Sequence, residues 1–188
     1  IVRFVVHGHV ALATGAALQV WWIEEDWFGG GSWNRSAAAF FATLAVYGLT
    51  RLIRAKDDAL KEAPLFVWYR RNANAMGASV ALSALLAMIF LHDELIEVLI
   101  RLWPVIIPAL LYVAPFRLGG RAIGLRSVPG LKSLLVAWVW AAGTVLLASS
   151  SHKFNLEPVL IPVFVGFYWA IAIAFDCRDA AVDSPSLR

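Results

Sequence analysis

The chain has 188 residues, 61% of them hydrophobic and only 15% charged, with a mean hydropathy of +0.72. A soluble domain averages about 25% charged residues, so this composition excludes a water-covered globule and a disordered chain, and the single Cys177 excludes a disulfide-stapled fold. An all-α integral membrane protein is left, and its net charge of +3 follows from basic loops on one membrane face, with no nucleic acid needed.

A helix needs about 20 mostly apolar residues to cross a bilayer, and the sequence predicts six such spans. The first, Val2 to Ile23, is too long for a signal-peptide core and lacks a clear cleavage site. The second is Ser36 to Ile53 and the third Ala75 to His92. The fourth, Leu95 to Tyr112, carries Pro104 and Pro108 and should kink there. The fifth is Leu131 to Ser149, and the sixth is Pro158 to Phe175, with Pro162 near its start. The runs are apolar all round, which argues against transmembrane strands, whose residues alternate. All of 1–188 is read as a single transmembrane domain, incomplete at its C-terminus.

Basic residues test this division independently. With six spans, one side of the membrane holds Arg3, Arg51, Arg54, Lys56, Lys61, Arg70, Arg71, Arg117, Arg121, Arg126, Lys132, Arg178 and Arg188, 13 of the 16. The other side holds only Arg35, Arg101 and Lys153. Both ends of the chain are therefore expected in the cytoplasm, with a bacterial inner membrane as the expected location and the lipid bilayer as a partner. Trp21, Trp22, Trp27 and Trp33 surround the first outer loop and fit an interfacial belt. Gly29, Gly30 and Gly31 are expected to form a flexible outer turn.

The sixth span runs into Phe175-Asp176-Cys177-Arg178-Asp179-Ala180-Ala181-Val182-Asp183. Asp176, Asp179 and Asp183 stand at i, i+3 and i+7, which puts them on one helical face. Crowded carboxylates at a membrane edge repel and need compensation. Mg²⁺ suits such oxygens and shares its shell with substrate phosphates. The plainer reading is a solvated helix end whose acids balance nearby arginine, and spacing alone leaves both open.

Three stretches together resemble the UbiA-type prenyltransferase superfamily. The first is this aspartate motif, similar to F-D-I-R-D-x-x-x-D. The second is Leu125-Arg126-Ser127-Val128-Pro129-Gly130-Leu131-Lys132, leading into an apolar helix with Trp138 and Trp140 and resembling R-x-x-P-x-x-K. The third is Leu111-Tyr112-Val113-Ala114-Pro115, resembling L-Y-S-x-P. The resemblance covers most of the chain. It implies a nine-helix intramembrane bundle, of which this chain supplies six. It further implies Mg²⁺ held by Asp176, Asp179 and Asp183 as metal and catalytic residues. A prenyl diphosphate would be contacted by Arg51, Arg54, Lys132 and Arg178, and its prenyl group passed to a lipophilic acceptor of quinone or tetrapyrrole type. Phe164, Phe167, Tyr168 and Trp169 become candidates for the wall around the prenyl chain.

The resemblance breaks at the first aspartate motif. Its place reads Tyr47-Gly48-Leu49-Thr50-Arg51-Leu52-Ile53-Arg54, without a carboxylate or an asparagine, and Asp57 and Asp58 lie farther along. Arginine forks suit phosphate oxygens, so Arg51 and Arg54 are expected to replace that half of the clamp, or else to mark the membrane boundary. His7 and His9 are too close in sequence to share one helical metal site. A catalytically inactive scaffold, or a lipid-, quinone- or pigment-binding subunit of a larger membrane complex, is the alternative function.

Overall fold

The computed structural model describes residues 9–56, 64–113, 116–118, 121–123, 131–150 and 157–183, with side chains at 9–56, 65–110, 131–150 and 158–174. Helices dominate: α1 (Val10–Phe28), α2 (Trp33–Arg54), α3 (Pro64–Arg71), α4 (Ala73–Phe90), α5 (Leu95–Val113), α6 (Leu131–Ala148) and α7 (Glu157–Asp183). Two three-residue strands, β1 (Phe116–Leu118) and β2 (Arg121–Ile123), pair antiparallel with Arg117 opposite Ala122. Each of the six predicted spans overlaps a long helix, with residues 2–8 of the first span outside the described residues, while α3 and the paired strands were not anticipated. By length and composition, α2, α4 and α6 are able to cross a membrane, and α7 adds an apolar stretch over Pro158–Ala174.

Burial runs opposite to that of a soluble protein. Of the 20 buried apolar residues described, ten are alanine, among them Ala13, Ala38, Ala137 and Ala141. Large side chains such as Leu18, Leu82, Ile100, Val163 and Phe167 point outward. In hydrocarbon, large apolar groups gain nothing by leaving the surface, and small residues let helix backbones approach. This pattern supports the apolar-exterior reading.

The chain forms two compact units, Ile1–Ile96 and Glu97–Arg188. In the first, α2 has α1 along one side and α4 along another, both antiparallel to it. Rings mark the register: His9 lies 5.2 Å from Tyr47, Trp21 4.4 Å from Trp33, and Phe41 stacks on Phe90 at 5.8 Å. Helix α1 ends at Gly29, whose φ of 79° suits glycine and lets its N–H reach the Glu24 carbonyl. Ser32 caps α2 by accepting the Arg35 N–H at 3.4 Å. At Gly48, α2 meets α4 so closely that an added Cβ would lie 2.6 Å from Val80 Cγ2.

In the second unit, α6 is the buried helix. Its Ala137, Ala141, Ala142, Val145 and Ala148 are covered, and α7 packs along it with Tyr168 5.9 Å from Trp140. Proline makes demands on α5. Pro108 has no N–H to give the carbonyl of Pro104, four residues back. The Trp138 indole N–H supplies that bond instead, at 2.9 Å. The carbonyl that Pro108 leaves unbonded thus has a partner built into α6.

Two outcomes follow from these contacts. Gly48→Ala should destabilise the protein by about 1–3 kcal/mol, the usual cost of overpacking, and adding Val80→Ala should restore most of it, read from unfolding in detergent micelles. Trp138→Phe keeps an aromatic ring but leaves the Pro104 carbonyl unanswered, an expected loss of at least about 1–3 kcal/mol in the same assay, to which the smaller ring adds a packing loss.

Candidate functional site

The last turn of α2 carries Arg51 and Arg54, one turn apart and so on one face. Both guanidiniums lie over the Phe66 ring of α3, 5.8 Å and 5.1 Å from its centroid. Ring and cation attract through the ring's quadrupole. Phe66 is itself fixed in a small core with Ala55, Tyr69 and Met76, flanked by Leu52, Leu65 and Trp68. Arg70 ties the other end by donating from Nη1 to the Ala55 carbonyl at 3.1 Å, which caps α2. Burial pushes the Tyr69 phenol above its ordinary pKa, and the nearby Arg51 charge opposes that rise.

The other expected diphosphate contacts and the metal ligands belong to the second unit. Lys132 is the second residue of α6. Helix α7 continues past the predicted end at Phe175 and stays helical through Asp183. Asp176, Arg178, Asp179 and Asp183 are therefore helical positions, and their side chains lie outside the described residues. Asp57 and Asp58 also lie outside them. A donor set of three carboxylates at i, i+3 and i+7 suits a hard, oxygen-seeking ion such as Mg²⁺. Among the candidate wall residues, Tyr168 sits beside Trp140, while Phe167 and Trp169 are exposed.

At the opposite end of α2, the first unit holds a charge cluster that sequence reasoning missed. Arg35, expected in an outer loop, is instead buried in the first turn of α2. Its Nη1 donates to Glu24 Oε1 of α1, and its Nε and Nη2 donate to the two carboxylate oxygens of Glu94 at 2.9 and 3.0 Å. Glu24 is fully buried, and its other oxygen accepts the Ser32 N–H at 2.6 Å. Glu25 accepts the Gly31 N–H at 2.9 Å. The glycine turn, expected to be flexible, is thus pinned by two carboxylates. Arg35 joins α1, α2 and the turn after α4 in one fork-shaped contact. The signal was present in the sequence: Glu24, Arg35 and Glu94 each border an apolar run, where a charge needs a partner.

The arrangement can do two separate things. The Arg35 cluster fixes one end of three helices. The arginines over Phe66 offer two positive charges to a phosphate-bearing ligand. No family model, curated protein or solved structure matches the chain.

Removing the Arg35 charge should be severe, because a buried Glu24 carboxylate would lose its partner. Arg35→Met is expected to cost about 3–5 kcal/mol, whereas Arg35→Met combined with Glu24→Gln should recover part of that loss. A double-mutant unfolding cycle measures the coupling; additive losses would show that the pair does not interact.

Proposed function

We propose that the chain is a multi-pass membrane protein of the UbiA-type prenyltransferase superfamily, acting at the cytoplasmic face. Asp176, Asp179 and Asp183 hold Mg²⁺ against a prenyl diphosphate, and Arg51, Arg54, Lys132 and Arg178 contact its phosphates. The prenyl group passes to a lipophilic acceptor of quinone or tetrapyrrole type. The single observation behind this reading is the unbroken course of α7 through Asp183, which keeps the three aspartate positions in one helical register. When bound, Mg²⁺ neutralises charge that builds on the departing diphosphate. The chain's own task is to fix the diphosphate with arginine and lysine and to surround the prenyl chain with apolar helices.

A second reading has its own support. The place of a first aspartate motif is taken by Gly48, engaged in close helix packing against Val80. A scaffold or lipid-binding subunit of a larger membrane complex has no need of carboxylates there.

Binding of a farnesyl or geranylgeranyl diphosphate analogue to the purified chain separates the two readings. The enzyme reading expects Mg²⁺-dependent binding, weakened at least tenfold in Asp179→Asn and in Asp183→Asn (about 1.4 kcal/mol or more). Binding that ignores both metal and aspartates would leave the scaffold.

A further inference from the structure

We infer that the basic surface around α3 is a docking site for anionic phospholipid headgroups at the membrane boundary. Position comes first. Helices α2 and α4 are antiparallel neighbours, each long and apolar enough to cross a membrane. One ends at Arg54 and the other begins at Ala73, so α3 lies at their shared end. With eight residues, α3 is about 12 Å long, far too short to cross. It is a boundary element.

Its two sides differ as an interfacial helix requires. On α3, Phe66 and Tyr69 are buried toward Ala55 and Met76, while Arg71 stands exposed on the opposite side; Arg70, in the last turn, and Lys56, just after α2, are exposed as well. Arg51 and Arg54 add two guanidiniums over Phe66. From Arg51 to Arg71 the sequence has six basic and three acidic residues, an excess of three positive charges, which equals the net charge of the whole chain. Clusters of basic residues next to a span, or on an amphipathic helix, attract anionic lipid, and each contributes within a Debye length of the surface. Arginine forks match phosphate oxygens in geometry as well as charge.

A lipid headgroup fits this surface better than a soluble phosphate compound. Lys56, Arg70 and Arg71 are exposed beside two helix ends, at the level where anionic headgroups lie. Trp68, partly exposed beside them, is a ring of the kind that favours the headgroup level. The inference does not depend on the prenyl diphosphate reading, since Lys56 and Arg71 have no part in that site.

The test uses the full chain purified in neutral detergent and offered phosphatidylglycerol or phosphatidylcholine, with retained lipid counted by mass spectrometry. The wild type should prefer phosphatidylglycerol, and the preference should fall as salt rises. Lys56→Gln with Arg71→Gln should lower it about fivefold for each charge removed, while Lys56→Arg with Arg71→Lys should keep it. Equal retention of both lipids, or a preference unchanged in the Gln double variant, overturns the inference. So does displacement of phosphatidylglycerol by an equal concentration of inorganic pyrophosphate, which would mark a soluble-phosphate site. If the Gln double variant fails to fold, the wild-type lipid comparison and salt titration decide alone.

Discussion

Backbone carbonyls cannot be left bare in an apolar surrounding, and this constraint organises the described structure. Among the described residues, three of the carbonyls that lose a regular helical bond or stand where a helix ends are met by a long side-chain donor. Trp138 serves Pro104 inside α5, Arg70 serves Ala55 after α2, and Arg101 serves Ser149 after α6, at 2.9, 3.1 and 3.3 Å. In water, solvent would fill such positions at almost no cost. Where lipid surrounds the helices, the donor must come from another segment, so satisfying a carbonyl also ties two elements together. The same side chains therefore act as caps and as tertiary contacts.

Charge is handled by the same logic. Arg35 and Glu24 are buried as a pair, and Glu94 completes the guanidinium fork. An unpaired ion there would cost several kcal/mol, whereas a well-bonded pair roughly offsets its own desolvation. The cluster therefore adds little net stability, and its effect is geometric: it permits one register among α1, α2 and the turn before α5. Close packing at Gly48 then fixes how near α4 comes to α2. The α3 end of α2 lacks an equivalent buried cluster among the described residues. It uses an aromatic ring and a cap, which leave basic residues at the surface.

Helix existence and approximate extent were legible because hydropathy depends on long runs, and a bilayer sets their length. Boundaries were less so. Helix α1 continues to Phe28 beyond the predicted Ile23, because Glu24 is buried by a distant arginine that local hydropathy does not register. Helix α2 begins before the predicted Ser36 for the same reason. Helix α3 was hidden, since its apolar residues form one short face and are interrupted by a basic pair, too few for periodicity to stand out. At the candidate site, the placement of Arg51 and Arg54 at the end of an apolar helix was readable from charge. Their common platform was not, because Phe66 reaches them from a separate helix and belongs to no motif.

Those arginines bear on both functional readings in a way that spacing alone could not expose. The Phe66 ring attracts both guanidiniums through its quadrupole at 5.8 and 5.1 Å, whereas phosphate oxygens are bound through N–H donors. A cation–π contact uses the charge and not a particular N–H, so the Phe66 platform is compatible with phosphate binding. It also restricts side-chain freedom beforehand, which lowers the entropy lost when a ligand arrives. Two fixed guanidiniums still differ from a metal clamp. They attract a diphosphate already in its ground state and offer no coordination bond that strengthens as the leaving group gains charge, so they favour binding more than transition-state stabilisation. The two proposed readings therefore part at the far end of α7, where three carboxylate positions stay in helical register.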